Sequence, residues 1–188
     1  MRKIASLFER NYDGDRLVRD ELVEGSRWVA NGEGVATRKY DGTCCMIRDG
    51  KLFKRYEVKK GKTPPTDFEP ANDVDPKTGK QQGWVPTGDG NEDRWHREAL
   101  DRLENKEDGT YELMGPKIQG NLEGYEGHVL IPHSTATNLD DCPRTFDELR
   151  DYLSNGNIEG VVWHHPDGRM VKIKGRDFGI KRKPFQAT

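Results

Sequence analysis

Two β-forming runs, Thr43–Arg48 and Lys51–Val58, are separated by nothing but Asp49-Gly50. This is the strongest short-range hairpin signal a sequence offers. A two-residue turn needs left-handed backbone at both central positions, and Asp-Gly supplies it with a twist that matches paired strands. A second hairpin is expected from 158–163 and 170–174, turning at Pro166-Asp167-Gly168. Residues 35–40, 110–114 and 128–131 read as further strands, and 2–10 as a short helix or strand. Two helices are expected. In 94–104, Trp95, Ala99, Leu100 and Leu103 fall at helical spacing. In 145–153, Thr145 and Glu148 form a capping box, Phe146, Leu149 and Leu153 form one stripe, and Asn155-Gly156 closes the element. Strands outnumber helices and do not alternate with them, so the expected class is α+β with mainly antiparallel sheets.

The 188 residues allow a single domain over 1–188. Residues 61–90 collect prolines, glycines and acids without a periodic pattern, and read as a long loop or insertion that Trp84 anchors to the body. Leu, Ile, Val and Phe number only 36, which approaches the composition of disordered chains. Disorder also needs a high net charge, and here it is -2. A folded domain with a small core follows. No apolar run approaches the ~20 residues of a membrane span, so no membrane partner is expected. Met1-Arg2-Lys3 leads into no apolar secretory stretch, so a cytoplasmic location is expected. The three cysteines, Cys44, Cys45 and Cys142, are odd in number and form no C-x-x-C, which suits a reducing compartment. His164-His165 would point to opposite faces of a strand, a poor chelate, and reads as a surface or packing pair.

The small net charge hides an uneven distribution. Residues 39–62 hold eight Lys/Arg and three acids, residues 169–183 seven and one, and residues 89–126 five and eleven. Two basic segments that met in space would make a face suited to phosphates, whereas two that did not would simply be solvated.

Four features carry chemistry. In Lys39-Tyr40-Asp41-Gly42 the lysine is a potential nucleophile, if its amine is deprotonated, and the glycine lets backbone approach a ligand. In Lys172-Ile173-Lys174 the two ammonium groups share a strand face while Val171 and Ile173 pack the other way, which suits a phosphate or a solvated face. Glu112 and Glu159 sit among apolar residues, where an unpaired carboxylate is costly. Each suits ribose hydroxyls, a metal-bound water or an edge-strand surface. Arg55 suits a phosphate, a ribose or solvent.

Order and spacing bind these features together. The chain resembles the covalent nucleotidyltransferases, the ATP-dependent polynucleotide ligases and RNA capping enzymes. Lys39-Tyr40-Asp41-Gly42 resembles their first motif and Arg55 the arginine that follows it. Tyr111-Glu112-Leu113-Met114-Gly115-Pro116 is similar to the third motif, Glu159-Gly160-Val161-Val162 to the fourth, and Val171-Lys172-Ile173-Lys174 to the fifth. The likeness is closest to small 5′-to-3′ RNA ligases, whose first motif continues as Asp41-Gly42-Thr43-Cys44-Cys45 does here, and whose fourth continues as Val162-Trp163-His164 does.

That resemblance implies a nucleotidyltransferase (adenylation) domain. Only 14 residues follow Lys174, so no C-terminal OB domain is expected. It implies ATP and Mg²⁺ (or Mn²⁺) as cofactors, and RNA with 5′-phosphate and 3′-hydroxyl ends as partner, with no obligate protein partner evident. Catalytic roles fall to Lys39, Lys172, Lys174 and Glu159. Nucleotide binding falls to these four with Asp41, Arg55 and Glu112, and metal contact to Glu159 and Asp41. The strand at 128–133 is the candidate for the family's adenine-stacking residue. A DNA ligase, a guanylyltransferase and a non-catalytic RNA-binding module are the alternatives.

Overall fold

The computed structural model describes residue 1 and residues 3–185. In chain order its strands are β1 (Ala5–Ser6), β2 (Phe8–Arg10), β3 (Val18–Leu22), β4 (Val35–Lys39), β5 (Thr43–Arg48), β6 (Lys51–Val58), β7 (Glu69–Pro70), β8 (Gln81–Pro86), β9 (Gly109–Met114), β10 (Val129–Pro132), β11 (Gly160–His164) and β12 (Met170–Lys174). The helices are α1 (Arg27–Ala30), α2 (Arg94–Arg102) and α3 (Phe146–Gly156). Among the described residues every strand pairing is antiparallel except β1 with β12, so the class is α+β with mainly antiparallel sheets.

The chain divides into two compact units. One comprises Asp41–Thr135 with Met1, Lys3 and Phe185, and the other Ile4–Tyr40 with Ala136–Pro184. The boundary falls inside the Lys39-Tyr40-Asp41-Gly42 stretch.

The Asp41–Thr135 unit is a six-stranded sheet in the order β10-β9-β5-β6-β8-β7. The Asp-Gly hairpin lies at its centre. Asp49 has φ 51° and Gly50 φ 71°, and Arg48 pairs with Lys51 across the turn. Alternation along β5 and β9 sends Cys45, Ile47, Tyr111 and Leu113 to one face, where they pack with Leu52, Leu130 and Ala99 of α2. Of the expected α2 stripe, Ala99 is buried and Leu100 and Leu103 are partly buried, while Trp95 stacks on His128 with ring centroids 4.3 Å apart. The 61–90 stretch differs from its reading as a loop, because it carries β7 and β8, and β8 pairs with β6 along its whole length. Gly83 and Pro86 interrupt the alternation that would have marked β8 in the sequence. Trp84 is buried, as an anchor should be.

The other unit is a four-stranded sheet in the order β1-β12-β11-β4, with the β2–β3 hairpin beside it. Val161, Trp163, Val171, Ile173 and Ala36 point to one face and pack with Leu7, Phe8, Val18, Val29, Leu149 and Leu153. Each fully buried Val, Leu, Ile or Phe side chain among them contributes about 1.5–3 kcal/mol. The α3 stripe is as expected, and Phe146 meets Phe8 edge-on at 5.0 Å. Its ends differ in detail. The Thr145 hydroxyl donates to the Glu148 carboxylate at 2.6 Å and makes no bond to the helix backbone. Asn157, at φ 42°, rather than Gly156, takes the left-handed position after the helix. The 2–10 stretch forms strands where it is described, and Arg2 lies outside the described residues.

Candidate active site

Antiparallel pairing fixes which residues share a face, because directly opposed side chains point the same way. In the Ile4–Tyr40 and Ala136–Pro184 unit, Gly160 of β11 opposes Lys39 of β4 on one side and Lys174 of β12 on the other. Two residues further on, Val162 opposes Thr37 and Lys172. The three lysines therefore stand on the face opposite the apolar core, and the residue between Lys39 and Lys174 has no side chain.

One carboxylate joins them. Lys39 Nζ lies 2.5 Å from Glu159 Oε2, and both side chains are largely buried. The sequence reading put Glu159 inside a strand, whereas β11 begins at Gly160. Freed from strand alternation, Glu159 turns its carboxylate to the lysine while its backbone carbonyl accepts the Gly175 N–H at 2.9 Å. Asp177, fully buried, accepts the Lys174 backbone N–H at 3.0 Å and pairs with Arg10 at 2.5 Å. It anchors the turn that follows β12.

Burial pushes the Lys172 ammonium down to about 8, helped by the positive charges of Lys174 and Lys39. Burial also lowers Lys174, with Arg176 and Lys39 acting the same way and Asp177 against them. Among the described residues, neither lysine's ammonium forms an ion pair. A face that crowds cations while desolvating them is built to receive an anion.

In the Asp41–Thr135 unit, Glu112 is buried and fully engaged. Its Oε1 accepts the Gly42 N–H at 3.1 Å, and its Oε2 lies 2.8 Å from His133 Nε2. His133 Nδ1 in turn meets Thr110 Oγ1 at 2.9 Å. The Asp41 N–H donates to Glu123 Oε1 at 3.1 Å, so two carboxylates grip successive backbone amides. Arg55 lies over the Trp84 ring at 4.7 Å and donates to the Met1 carbonyl at 2.7 Å and to Gln82 at 3.3 Å. Burial lowers its guanidinium from the usual arginine range. Within 128–133, the buried His128 ring is already stacked on Trp95 and bonded to Glu98.

Sequence reasoning missed Glu123 and Asp177, and took His133 only as part of the 128–133 candidate strand, not as a partner of Glu112. Glu123 lies among Gly115, Gly120, Gly124 and Gly127, a density of glycine that marks irregular backbone but not its contacts. His133 follows a strand and carries no pattern of its own. The lone acid in the basic 169–183 run was the only signal for Asp177.

The RNA ligase 1 family model matches residues 89–187. The chain belongs to the RNA ligase 1 family. The matched stretch contains Glu112, Glu159, Lys172 and Lys174, and Lys39, Asp41 and Arg55 precede it. The chain is similar to RNA ligase 1 of Danio rerio, 23% identical over 219 residues, and to RNA ligase 1 of Mus musculus, 25% identical over 223 residues. Each comparison covers 78% of this chain and 67% of the relative.

Among the described residues, no group of three or more His, Cys, Asp or Glu could hold a metal ion. Magnesium, however, keeps several waters and is commonly held by one or two carboxylates together with substrate phosphates. Glu159, beside the lysine face, is a carboxylate that could serve in such an arrangement. Among the described residues, no helix is long and apolar enough to cross a membrane.

Proposed function

We propose that this protein is an ATP-dependent RNA ligase with an adenylation domain of the nucleotidyltransferase type, joining a 5′-phosphate to a 3′-hydroxyl. Lys39 Nζ attacks the α-phosphorus of ATP, the bond to the diphosphate oxygen breaks, and lysyl-AMP forms as the amine loses a proton. The 5′-phosphate of RNA then attacks the same phosphorus and frees Lys39, giving RNA-adenylate. A 3′-hydroxyl attacks the activated phosphate, and AMP leaves.

The observation that carries this reading is the meeting of Lys39, Lys172 and Lys174 on one sheet face, with the Glu159 carboxylate against Lys39. Lys172 and Lys174 stabilise charge that builds on the transferring phosphate. Magnesium or manganese held by Glu159 and the phosphate oxygens would neutralise part of that charge. Glu112 and Arg55 hold the ribose in this reading, and Asp41 orients Lys39 or contacts the metal's waters.

Incubation with α-labelled ATP and Mg²⁺, followed by a denaturing gel, tests it. Label is expected on the wild type and none on Lys39→Ala. Labelling of the alanine variant would remove Lys39 as nucleophile. Salt-sensitive RNA binding without any adduct would favour a binding module. Labelling by GTP in place of ATP, or sealing of nicked DNA but not RNA, would favour the other two relatives in chemistry.

A further inference from the structure

We propose that Arg176, Lys181 and Lys183 form a basic rim that takes the phosphate backbone of the RNA strand being joined. The proposal rests on the RNA ligase reading above and adds to it a surface for the polynucleotide.

The chain after β12 carries the rim. Gly175–Phe178 forms one tight helical turn, and Gly179 leaves it in the left-handed region at φ 80°. The chain then folds back, because the Ile180 N–H donates to the Gly175 carbonyl at 3.0 Å and the Ile180 side chain packs against the apolar core. Asn157 holds the next residues. Its carbonyl accepts from the Arg182 guanidinium at 2.9 Å, and its side-chain oxygen accepts the Lys183 N–H at 3.1 Å. The Gly175 N–H reaches the Glu159 carbonyl at 2.9 Å. Residues 175–183 therefore lie as a strap against 157–159, just beyond the row where Gly160 opposes Lys174.

The charge on this strap is one-sided. Arg176, Lys181 and Lys183 are exposed, and among the described residues none of the three is in an ion pair. The strap's one acid, Asp177, is buried and already paired with Arg10 at 2.5 Å. The stretch Ser154-Asn155-Gly156-Asn157-Ile158, whose Asn157 holds the strap, has no charged side chain. Arg176 acts on the Lys174 ammonium, lowering it, so the rim shares the field of the lysine face. Cations set on a fixed backbone without protein partners keep mobile counter-ions, and a polyanion that displaces them gains the entropy of their release. Because the rim adjoins the face proposed for phosphoryl transfer, the polyanion it meets is the RNA that presents its end there.

Binding of a 5′-phosphorylated single-stranded RNA, followed by fluorescence anisotropy without ATP, tests the rim. Lys181→Gln/Lys183→Gln removes two charges and keeps the Lys183 N–H on Asn157. At about 0.1 M salt it should bind RNA about tenfold more weakly. The slope of log affinity against log salt should shrink by about 1.4, since each phosphate contact on a single strand contributes about 0.7. Lys181→Arg/Lys183→Arg should retain both. Labelling by α-labelled ATP should be unchanged in either variant, and sealing by the glutamine pair should show a raised KM for RNA with kcat little changed. Lys59→Gln/Lys106→Gln, exposed lysines of the Asp41–Thr135 unit, controls for net charge.

Wild-type affinity and salt slope in the glutamine pair would overturn the proposal. So would an equal loss from the control pair, which would make total charge the cause. A fall in labelling as steep as the fall in binding would also overturn it, by making the strap a structural support. Absence of any adduct on the wild type would instead sink the lysyl-AMP reading, with the RNA-binding comparison still deciding the rim.

Discussion

Lys39 Nζ stands 2.5 Å from Glu159 Oε2, although 120 residues separate them in the sequence. The contact sets two roles against each other. An ion pair favours the ammonium, whereas the attack on phosphorus proposed for Lys39 needs the neutral amine, so in that proposal the carboxylate is drawn away before reaction. A cation arriving with ATP phosphates would do so. Glu159→Gln keeps the shape and an acceptor but drops the charge. Sealing by Glu159→Gln is expected to fall by about a hundredfold or more, with the melting temperature little changed. Sealing at the wild-type rate would take Glu159 out of the mechanism.

Lys172 makes folding stability depend on pH. Its folded-state value of about 8 lies below the ordinary lysine value of 10.5. Between those values the unfolded chain holds the proton and the folded one does not, so this group raises stability as pH climbs from 8 to 10.5. Below 8 the full penalty is present. Lys172→Met should therefore be more stable than the wild type at pH 7, by about 1–2 kcal/mol after discounting for partial exposure. The advantage should shrink steadily above pH 8. Denaturant melts of both proteins at pH 7 and pH 10 measure it, and a pH-independent difference would mean that packing rather than charge is responsible.

The Asp49-Gly50 turn offers a cleaner stability test. A side chain at Gly50 would meet nothing within 4 Å, so Gly50→Ala adds no clash and carries only the strain of φ 71°. The expected loss is about 1–2 kcal/mol, or roughly 2–8 °C in Tm. Gly50→Asn should lose less, since asparagine tolerates left-handed backbone. Equal losses for both would mean that something other than φ governs the site.

How much of this was legible in the sequence follows from the range of the forces involved. The β5–β6 hairpin was fully legible, since turn chemistry and alternation act within a few residues. The two-lysine face of β12 was legible for the same reason. β8 was hidden because glycine and proline break its pattern, and its strand state comes from pairing with β6. The β2–β3 hairpin and α1 gave no signal strong enough to read. Glu159 was singled out as a residue, but its contact with Lys39 comes from the turn before β11 and the register of β4. Neither has a local signature. The grips of Glu112 and Glu123 on the Gly42 and Asp41 amides are tertiary in the same sense.

Glu112 carries both a structural and a proposed ligand role, and two substitutions separate them. Glu112→Ala strands the Gly42 N–H and His133, both of which Glu112 now satisfies. Leaving these partly buried partners unpaired costs about 1 kcal/mol or more, which a thermal melt will register. Glu112→Gln keeps a carbonyl oxygen for Gly42 and an amide that can pair with neutral His133, so its stability should stay within about 1 kcal/mol of the wild type. If Glu112 holds the ribose through its charge, Glu112→Gln should still need more ATP for labelling, by about tenfold. A glutamine variant that is stable and labels at wild-type ATP concentrations would leave Glu112 with the backbone alone, as the clamp on Gly42.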